Sequence, residues 1–539
     1  MRVPAAIEPT ETSTLGAQLR VHFQSGVTRS QTWRRRQLIA LQRAIAEQEE
    51  AIVEALASDL GKSAAESKLT ELEPALLEIT LTLQSFTLWA APRVIEPVVT
   101  PWYMAPAYWL RRVWRALLPR ALGGLQPVGG YGGAALATVL ERRYVVPEPL
   151  GVALIITAWN YPLLLPVWHM TSAIAAGNCV VVKPSEHAPA TAKLLADLVH
   201  TYLDRDCIRV VLGDASVAQQ LLTFQTETRE DVSFQAWAQA RPWDVVHFTG
   251  GWRIGRQIAL ACAQQLIPCI LELGGKNPLV IDATSLTERD LGRVARMTAW
   301  AKFLNAGQTC IAPDYVLICG ASAGEEAFFI EQLRQSIEGF YGVSVERSEH
   351  YPRIVNAAHT CRLADLLKRT KGKIVFGGEY RESDRFVHPT LIREVALDDA
   401  VMMEEIFGPI LPLLQSCADV EQALSIVRAL PPPLTLYLMS NDRTVIRRFE
   451  RETTSGSLVV NDLLGQVVSP GLPFGGVASS GMGKSKGQAG FDAFSHLKSF
   501  LHKPLWMETI ATDRYHPLND RKIRRLRGLV SLPNPGGAT

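Results

Sequence analysis

The chain has 539 residues, 47% of them apolar and 20% charged, with a formal net charge of +2. That length allows two to four ordinary domains, and the near balance of charge removes any global electrostatic case for nucleic acid or a strongly acidic partner. The eight cysteines include no CxxC pair and no metal-ligand spacing, so they read as reduced cytosolic thiols, with neither a disulfide framework nor a metal site expected.

Met1 to Thr14 lacks a basic stretch followed by an apolar one, so no secretory leader is expected there. From Thr28 to about Ala90, Leu38, Leu41, Ile45, Ile52 and Leu56 fall near one helical stripe and Gly61 is a natural stop. This region reads as two or three surface helices without chemistry. Residues 91–137 are rich in proline and aromatics, with Trp102, Tyr103, Trp109 and Trp114 beside Arg111, Arg112 and Arg115, then a glycine-rich run. Such a segment rests on a membrane interface, covers a pocket mouth, or packs as an insertion on its own domain.

Gly151 to Met170 is the most apolar stretch, but Asn160, Pro162, Pro166 and His169 interrupt it. A buried strand, a turn and a helix start explain it better than a membrane span, and no transmembrane segment is expected. Short apolar runs then alternate with helical patterns. Val180–Val182, Ile208–Leu212 and Asp244–Phe248 read as strands, and Ala190–Tyr202, Ala218–Phe224 and Trp252–Gln265 as helices. A second series of the same plan runs through strands at Pro278–Ile281, Tyr315–Cys319, Ile374–Phe376, Pro389–Ile392 and Leu458–Asn461, with helices at Leu286–Phe303 and 323–339. The alternation predicts an α/β fold of two parallel-sheet, Rossmann-like domains. Residues 226–243 read as a loop insertion, and the basic tail carries Ile523, Leu526 and Leu529 at helical spacing.

Cys310 follows a flexible Gly307-Gln308-Thr309 lead-in and precedes Pro313, which is how a thiol is presented in a cleft rather than packed as a core methyl. Its thiolate would be the nucleophile and needs help to ionise; the bland reading is a small buried hydrophobe. Asn160 sits in the turn after a buried strand, where a carboxamide either completes the turn or donates to a developing oxyanion. Glu272 lies between leucines beside Gly274 and Gly275, so burial would raise it towards the range of a general base unless Lys276 pairs with it. Thr249, Gly250, Gly251 and Gly255 open a helix after a strand, which suits a phosphate on free amides, although the spacing alone is weak. Lys183 and Glu186 end a neighbouring strand and suit ribose hydroxyls, while Glu405 and Phe407 suit a sugar and a flat ring.

Together these stretches resemble the aldehyde dehydrogenase superfamily. WNYP, GNCVVVKPSE, FTGG, LELGGKNP, GQTCIAPDY, EEIFGP and PFGGVASSGMG stand in the family's order, from about Val146 to Pro504. WNYP, CIAPDY, FSHLKS and RYHPL look most like its class 3, fatty-aldehyde branch. The resemblance implies that Cys310 attacks an aldehyde, that Asn160 and the Cys310 amide hold the alkoxide, and that Glu272 activates the water for thioester hydrolysis. NAD or NADP would be the cofactor, bound by Lys183, Glu186, Thr249, Gly250, Gly251, Gly255, Glu405 and Phe407, with Glu405 also a contender for the base.

The resemblance further implies a layout of residues 1–272 as helices and the cofactor domain, with an oligomerisation arm at about 138–150. Residues 273–485 would be the catalytic domain, 486–504 an oligomerisation segment and 505–539 a basic tail. A hydrophobic aldehyde as substrate, a homodimer built through the region of Tyr144 and Ser495–Leu501, and a cytoplasmic location with a peripheral membrane option follow. Two departures stand out: Gly251 where the family usually has Ser or Asn, and Ala478 where it usually has glycine. A cysteine hydrolase lacking hydride transfer, for which only His247 lies in a motif, and a non-catalytic scaffold are the competing readings.

Overall fold

The computed structural model describes residues 9–95, 126–128, 142–223, 241–415, 417–505 and 515–523. Most of the 91–137 insertion, the core of the 226–243 loop, and Leu526 and Leu529 of the tail lie outside them. The chain divides into two compact units, residues 1–84 with 150–494 and residues 85–149 with 495–539.

In the first unit, one sheet runs in the order Gly481–Met482, Cys269–Leu273, Val245–Gly250, Val152–Ile156, Cys179–Lys183, Ile208–Val210. Its neighbours are parallel except for the Gly481–Met482 strand, which runs antiparallel and puts Gly481 opposite Glu272. Val152–Ile156 and Cys179–Lys183 are buried along their whole length, as helix-covered parallel strands must be. The crossover helix Leu164–Ala176 is buried throughout as well, so Gly151–Met170 is apolar because it is interior, not because it spans a membrane. No helix among the described residues is long and apolar enough to cross one.

The second sheet runs Lys373–Phe376, Thr390–Val395, Ile410–Leu414, Tyr315–Cys319, Pro278–Asp282, Thr435–Met439, Ser457–Val460. Only the Lys373–Phe376 pairing is antiparallel. Its alternate side chains supply two cores. Val280, Leu317, Ile392 and Leu436 enter one, and Leu279, Val316, Leu391 and Tyr437 enter the other. Two of its strands escape the sequence reading: Ile410–Leu414 because Pro412 interrupts it, and Thr435–Met439 because a short apolar run carries no period.

The helices Gln31–Glu47 and Glu49–Leu60 bury the stripe predicted for them, with Leu38, Leu41, Ile45, Ile52 and Leu56 all interior. The expectation that residues 28–90 are surface helices without chemistry is corrected within that stretch. Lys62, Glu66 and Glu71 are buried on or beside a short helix, Ala64–Ser67, that runs into a π-helical turn, Lys68–Leu72.

In the second unit, Arg142–Pro149 pairs antiparallel with Ser495–His502 along eight residues and with Arg93–Ile95 on its other side. The FSHLKS motif is thus largely a strand, with Phe500 stacked on Tyr144 at 4.3 Å between ring centroids. Leu497, Phe500 and Leu501 stay exposed along it.

Candidate active site

Helix Glu288–Phe303 ends in a turn where Asn305, Ala306 and Gly307 all take left-handed φ, at 52°, 50° and 73°. Two of these are not glycine, so the turn is held against its own preference by its surroundings. At Gly307 a Cβ would lie 2.3 Å from the Gly408 carbonyl oxygen, which ties GQTC to EEIFGP and excludes any other residue. Gln308 Nε2 donates to the carbonyls of Asn305 and Arg353, both at 3.0 Å, and its Oε1 accepts from the Val355 amide at 2.9 Å. Asn277 Nδ2 donates to the carbonyls of Cys310 at 2.7 Å and Ala312 at 3.1 Å. The main chain around Cys310 is therefore fixed on both sides, and the residue itself is half-buried.

Asn160 follows the Val152–Ile156 strand and is buried. Its Nδ2 donates to the Gln308 carbonyl at 3.1 Å, and its own carbonyl accepts from Asn305 Nδ2 at 2.8 Å and Lys62 Nζ at 3.3 Å. Lys62 Nζ also donates to Glu71 Oε1 at 2.6 Å, and Glu71 Oε2 accepts from the amides of Leu163 and Leu164. Tyr161 and Thr309 share a hydroxyl hydrogen bond of 2.6 Å. WNYP and GQTC, 148 residues apart, form one polar assembly.

Asn160, Cys310, Glu272, Thr249, Gly250, Gly251, Glu405 and Phe407 line a single cavity of about 470 Å³. Much of the remaining wall is apolar, including Leu164, Leu165, Trp168, Leu304, Leu464 and Phe474. The site lies at the carboxyl ends of the parallel strands, where open α/β sheets bind ligands.

Three charged states govern its chemistry. Burial pushes Glu272 up to about 7, against a hydrogen bond accepted from the Ser485 hydroxyl and the pull of Lys484. Glu405 is pushed up to about 8 by burial and then by Asp314, opposed by the Gly275 amide. Its carboxylate lies where a Cβ on Gly274 would be, so a side chain at 274 would displace it. Burial, and after it Glu405 and Glu272, holds the Cys310 thiol well above its ordinary range, with the amides of Cys310 and Ile311 pulling the other way. The expected lowering of that thiol is thus absent in this state of the molecule.

A Cβ at Gly250 would meet the Phe248 ring at 2.5 Å and one at Gly255 the Leu273 side chain at 2.6 Å, so either would make its neighbour move. Gly251 has open space and leaves helix Trp252–Gln264 without a side-chain cap. The Thr249 hydroxyl is 3.3 Å from His169 Nε2. Lys183 Nζ pairs with Glu186 Oε2 at 2.7 Å, at the end of the strand two places from Val245–Gly250. Phe407 sits edge-on to Trp159 at 5.3 Å, with a left-handed φ of 47°. Arg253 and Glu404 form an ion pair between the helix start and EEIFGP.

Sequence reasoning missed Ser485, the Lys62–Glu71 pair, and a cluster of His169 and His247 beside Glu272. Both histidines were visible, one interrupting an apolar run and one before FTGG, but nothing local joins them. Their neighbourhood comes from a helix and two strands, which chain spacing cannot reveal. No hydrogen bond or ion pair among the described residues joins a histidine to Cys310, so the triad that a cysteine hydrolase needs gains no support.

The model of the aldehyde dehydrogenase family matches residues 133–500. Over 505 residues the chain is 36% identical to the rat protein named aldehyde dehydrogenase family 3 member A2, covering 94% of this chain and 91% of that one. It is 36% identical to the rat protein named aldehyde dehydrogenase, dimeric NADP-preferring, covering 92% and 95%. Among solved structures, Staphylococcus aureus AldH in a substrate-bound state superposes with a TM-score of 0.78 at 32% identity, covering 96% of this chain and 99% of that one.

Proposed function

The chain belongs to the aldehyde dehydrogenase family, with family 3 relatives, and on that footing we propose that it oxidises hydrophobic aldehydes through a thioester on Cys310. The observation that carries the reading is the one cavity joining Cys310, Asn160, Glu272 and the Gly250–Gly251 turn behind apolar walls. An alkyl or aryl chain entering it would lose contact with water, and burial of apolar surface contributes about 25 cal/mol per Å².

The enzyme uses NAD or NADP. The residues suit such a group. Uncapped amides at the start of the Trp252 helix face open space at Gly251, where a phosphate would be stabilised. Glu186, held by Lys183, would take ribose hydroxyls, and Glu405 and Phe407 would flank the nicotinamide end. When bound, the nicotinamide supplies the acceptor for the hydride given up by the aldehyde carbon.

Cys310 would add to the carbonyl, its proton leaving to a neighbouring carboxylate or water. The Asn160 carboxamide and the Cys310 amide would hold the resulting oxyanion, the first already fixed by Gln308 and Asn305 and the second by the bond of Asn277 to the Cys310 carbonyl. Preorganised donors of this kind are worth several kcal/mol because they need no rearrangement as charge develops. Glu272, poised near neutrality and kept in place by Ser485, would take the proton of the water that cleaves the thioester. Glu405, raised further still, is the contending base, and rapid full turnover by Glu272→Gln would move the role to it.

A panel of aldehydes from short to long, read at the NADH wavelength with NAD and with NADP, tests the substrate class. The reading expects kcat/KM to rise with chain length through the medium range. A maximum at acetaldehyde, or acid production without NADH, would overturn it. A homodimer built on the exposed Ser495–His502 strand is part of the same reading; a light-scattering mass of one chain would count against it.

A further inference from the structure

Glu272 has neighbours that the chemistry above leaves unused. His169 comes from helix Leu164–Ala176, and His247 from strand Val245–Gly250, which pairs with the strand carrying Glu272. Both histidines are wholly buried. Their rings face each other at 3.6 Å between centroids with a tilt of 31°, and Phe494 also stacks on His247, at 6.1 Å. His169 Nε2 lies 3.8 Å from Glu272 Oε2, and His247 Nε2 lies 3.9 Å from Glu272 Oε1. Those separations are too long for hydrogen bonds. The Ser485 hydroxyl serves Glu272 Oε1, while Glu272 Oε2 and both nitrogens of His247 have no hydrogen-bond partner among the described residues.

Buried polar atoms without partners are rare because each keeps the cost of leaving water. What these atoms need depends on the proton that Glu272 carries. As an acid it makes modest demands, but as a carboxylate it presents about four lone-pair sites. Two rings stacked face to face aim their edges side by side rather than at one point. That suits the two oxygens of a single carboxylate, and one Nε2 stands nearest to each. We propose that His169 and His247 are positioning residues, each turning an N–H onto Glu272 when it ionises and so holding it in the charged form that a base needs.

Burial keeps both imidazoles neutral, so each has one N–H to give. Closing either gap to the length of a charge-assisted bond takes about 1 Å, which a turn of the carboxyl group supplies. While Glu272 keeps its proton, the Thr249 hydroxyl, 3.3 Å from His169 Nε2, is the partner of that nitrogen. The other titratable groups facing Glu272 are Lys484, from the segment after the Gly481–Met482 strand, and Cys310, from the turn after helix Glu288–Phe303. Helix Trp252–Gln264 packs on the Glu272 strand through Gly255 and Leu273. Lys484 favours the charged carboxylate, and a Cys310 thiolate would oppose it. Hydrogen bonds to a charged form favour that form, so losing the imidazole donors moves the ionisation of Glu272 to higher pH. The consequence for catalysis rests on the reading that Glu272 activates the hydrolytic water, whereas the pairing itself does not.

The test removes each N–H and then restores one. In the full-length protein the infrared carbonyl band of Glu272, assigned by its loss in Glu272→Gln, should titrate about one pH unit higher in His169→Leu and in His247→Leu. His169→Gln, which keeps an N–H, should titrate close to wild type. Decay of the thioester formed on Cys310 from p-nitrophenyl decanoate should follow the same shift in the leucine variants, slowing roughly fivefold at pH 7 and little at pH 9.5. Where the leucine variants do not fold, wild type with isotopically labelled histidine decides: the ring N–H resonances of His169 and His247 should move as Glu272 ionises and stay fixed in Glu272→Gln. An infrared titration unmoved by the leucine variants, an equal rise with His169→Gln, or ring resonances that ignore Glu272 would overturn the proposal. A moved infrared titration with unchanged thioester decay would uphold the pairing and instead remove Glu272 from its role as base.

Discussion

At Glu272 one carboxylate is asked to be both buried and basic, and the two demands are linked. Its rise from an ordinary 4.5 to about 7 is driven by burial, so the folded protein holds a proton there that the unfolded chain releases. The stabilising contribution of that proton is complete below pH 4.5 and is lost as pH climbs through 7, a difference of roughly 3 kcal/mol. Glu272→Gln, which stays neutral, should therefore be more stable than wild type at pH 8.5 by up to about 3 kcal/mol, with the advantage shrinking towards pH 5. Denaturant melts of both proteins across that range check this, and a difference independent of pH would contradict it. Ala478 is a second residue under constraint. It takes a φ of 54° in the turn that brings Ser485 to Glu272, a conformation that explains why glycine is usual there.

Among the elements, the buried Lys62–Glu71 pair links the first helices to the WNYP turn. Glu71 satisfies the amides of Leu163 and Leu164 at the start of the crossover helix, and Lys62 holds the Asn160 carbonyl. Lys62→Met leaves a buried carboxylate with only those amides. It should cost roughly 3–5 kcal/mol of stability. It should also lower kcat by roughly ten- to hundredfold with less change in KM, because the oxyanion donor loses its anchor. Thermal melts and steady-state kinetics read both effects; an unchanged kcat in a folded variant would show that Asn160 is positioned without Lys62. The pair was invisible beforehand because Lys62 and Glu71 look like ordinary solvated helix residues. Only the packing of Tyr161 over Lys62 and the neighbouring π-helical turn reveals that they face inwards.

On the scale of the whole molecule, what could be read in advance was what local chemistry encodes. The alternation of strands and helices announced two sheets, whereas Gly307, read as part of a flexible lead-in, is held tightly against Gly408. Asn160, Glu272, Glu405 and Cys310 were recognisable by their company, and the fold brings them to one cavity. What stayed hidden depends on long-range partners. Pro412 disguised a central strand, the raised state of the Cys310 thiol follows from burial beside two carboxylates, and the histidine cluster arises only when a helix crosses the sheet. The central claim is that the sulfur of Cys310 carries the acyl group during turnover. Wild-type enzyme mixed with excess decanal and NAD, quenched in acid within the first turnovers and mapped by mass spectrometry, should carry a decanoyl group on the Cys310 peptide in step with the NADH formed. NADH accumulating while Cys310 stays unmodified at every quench time would contradict the account.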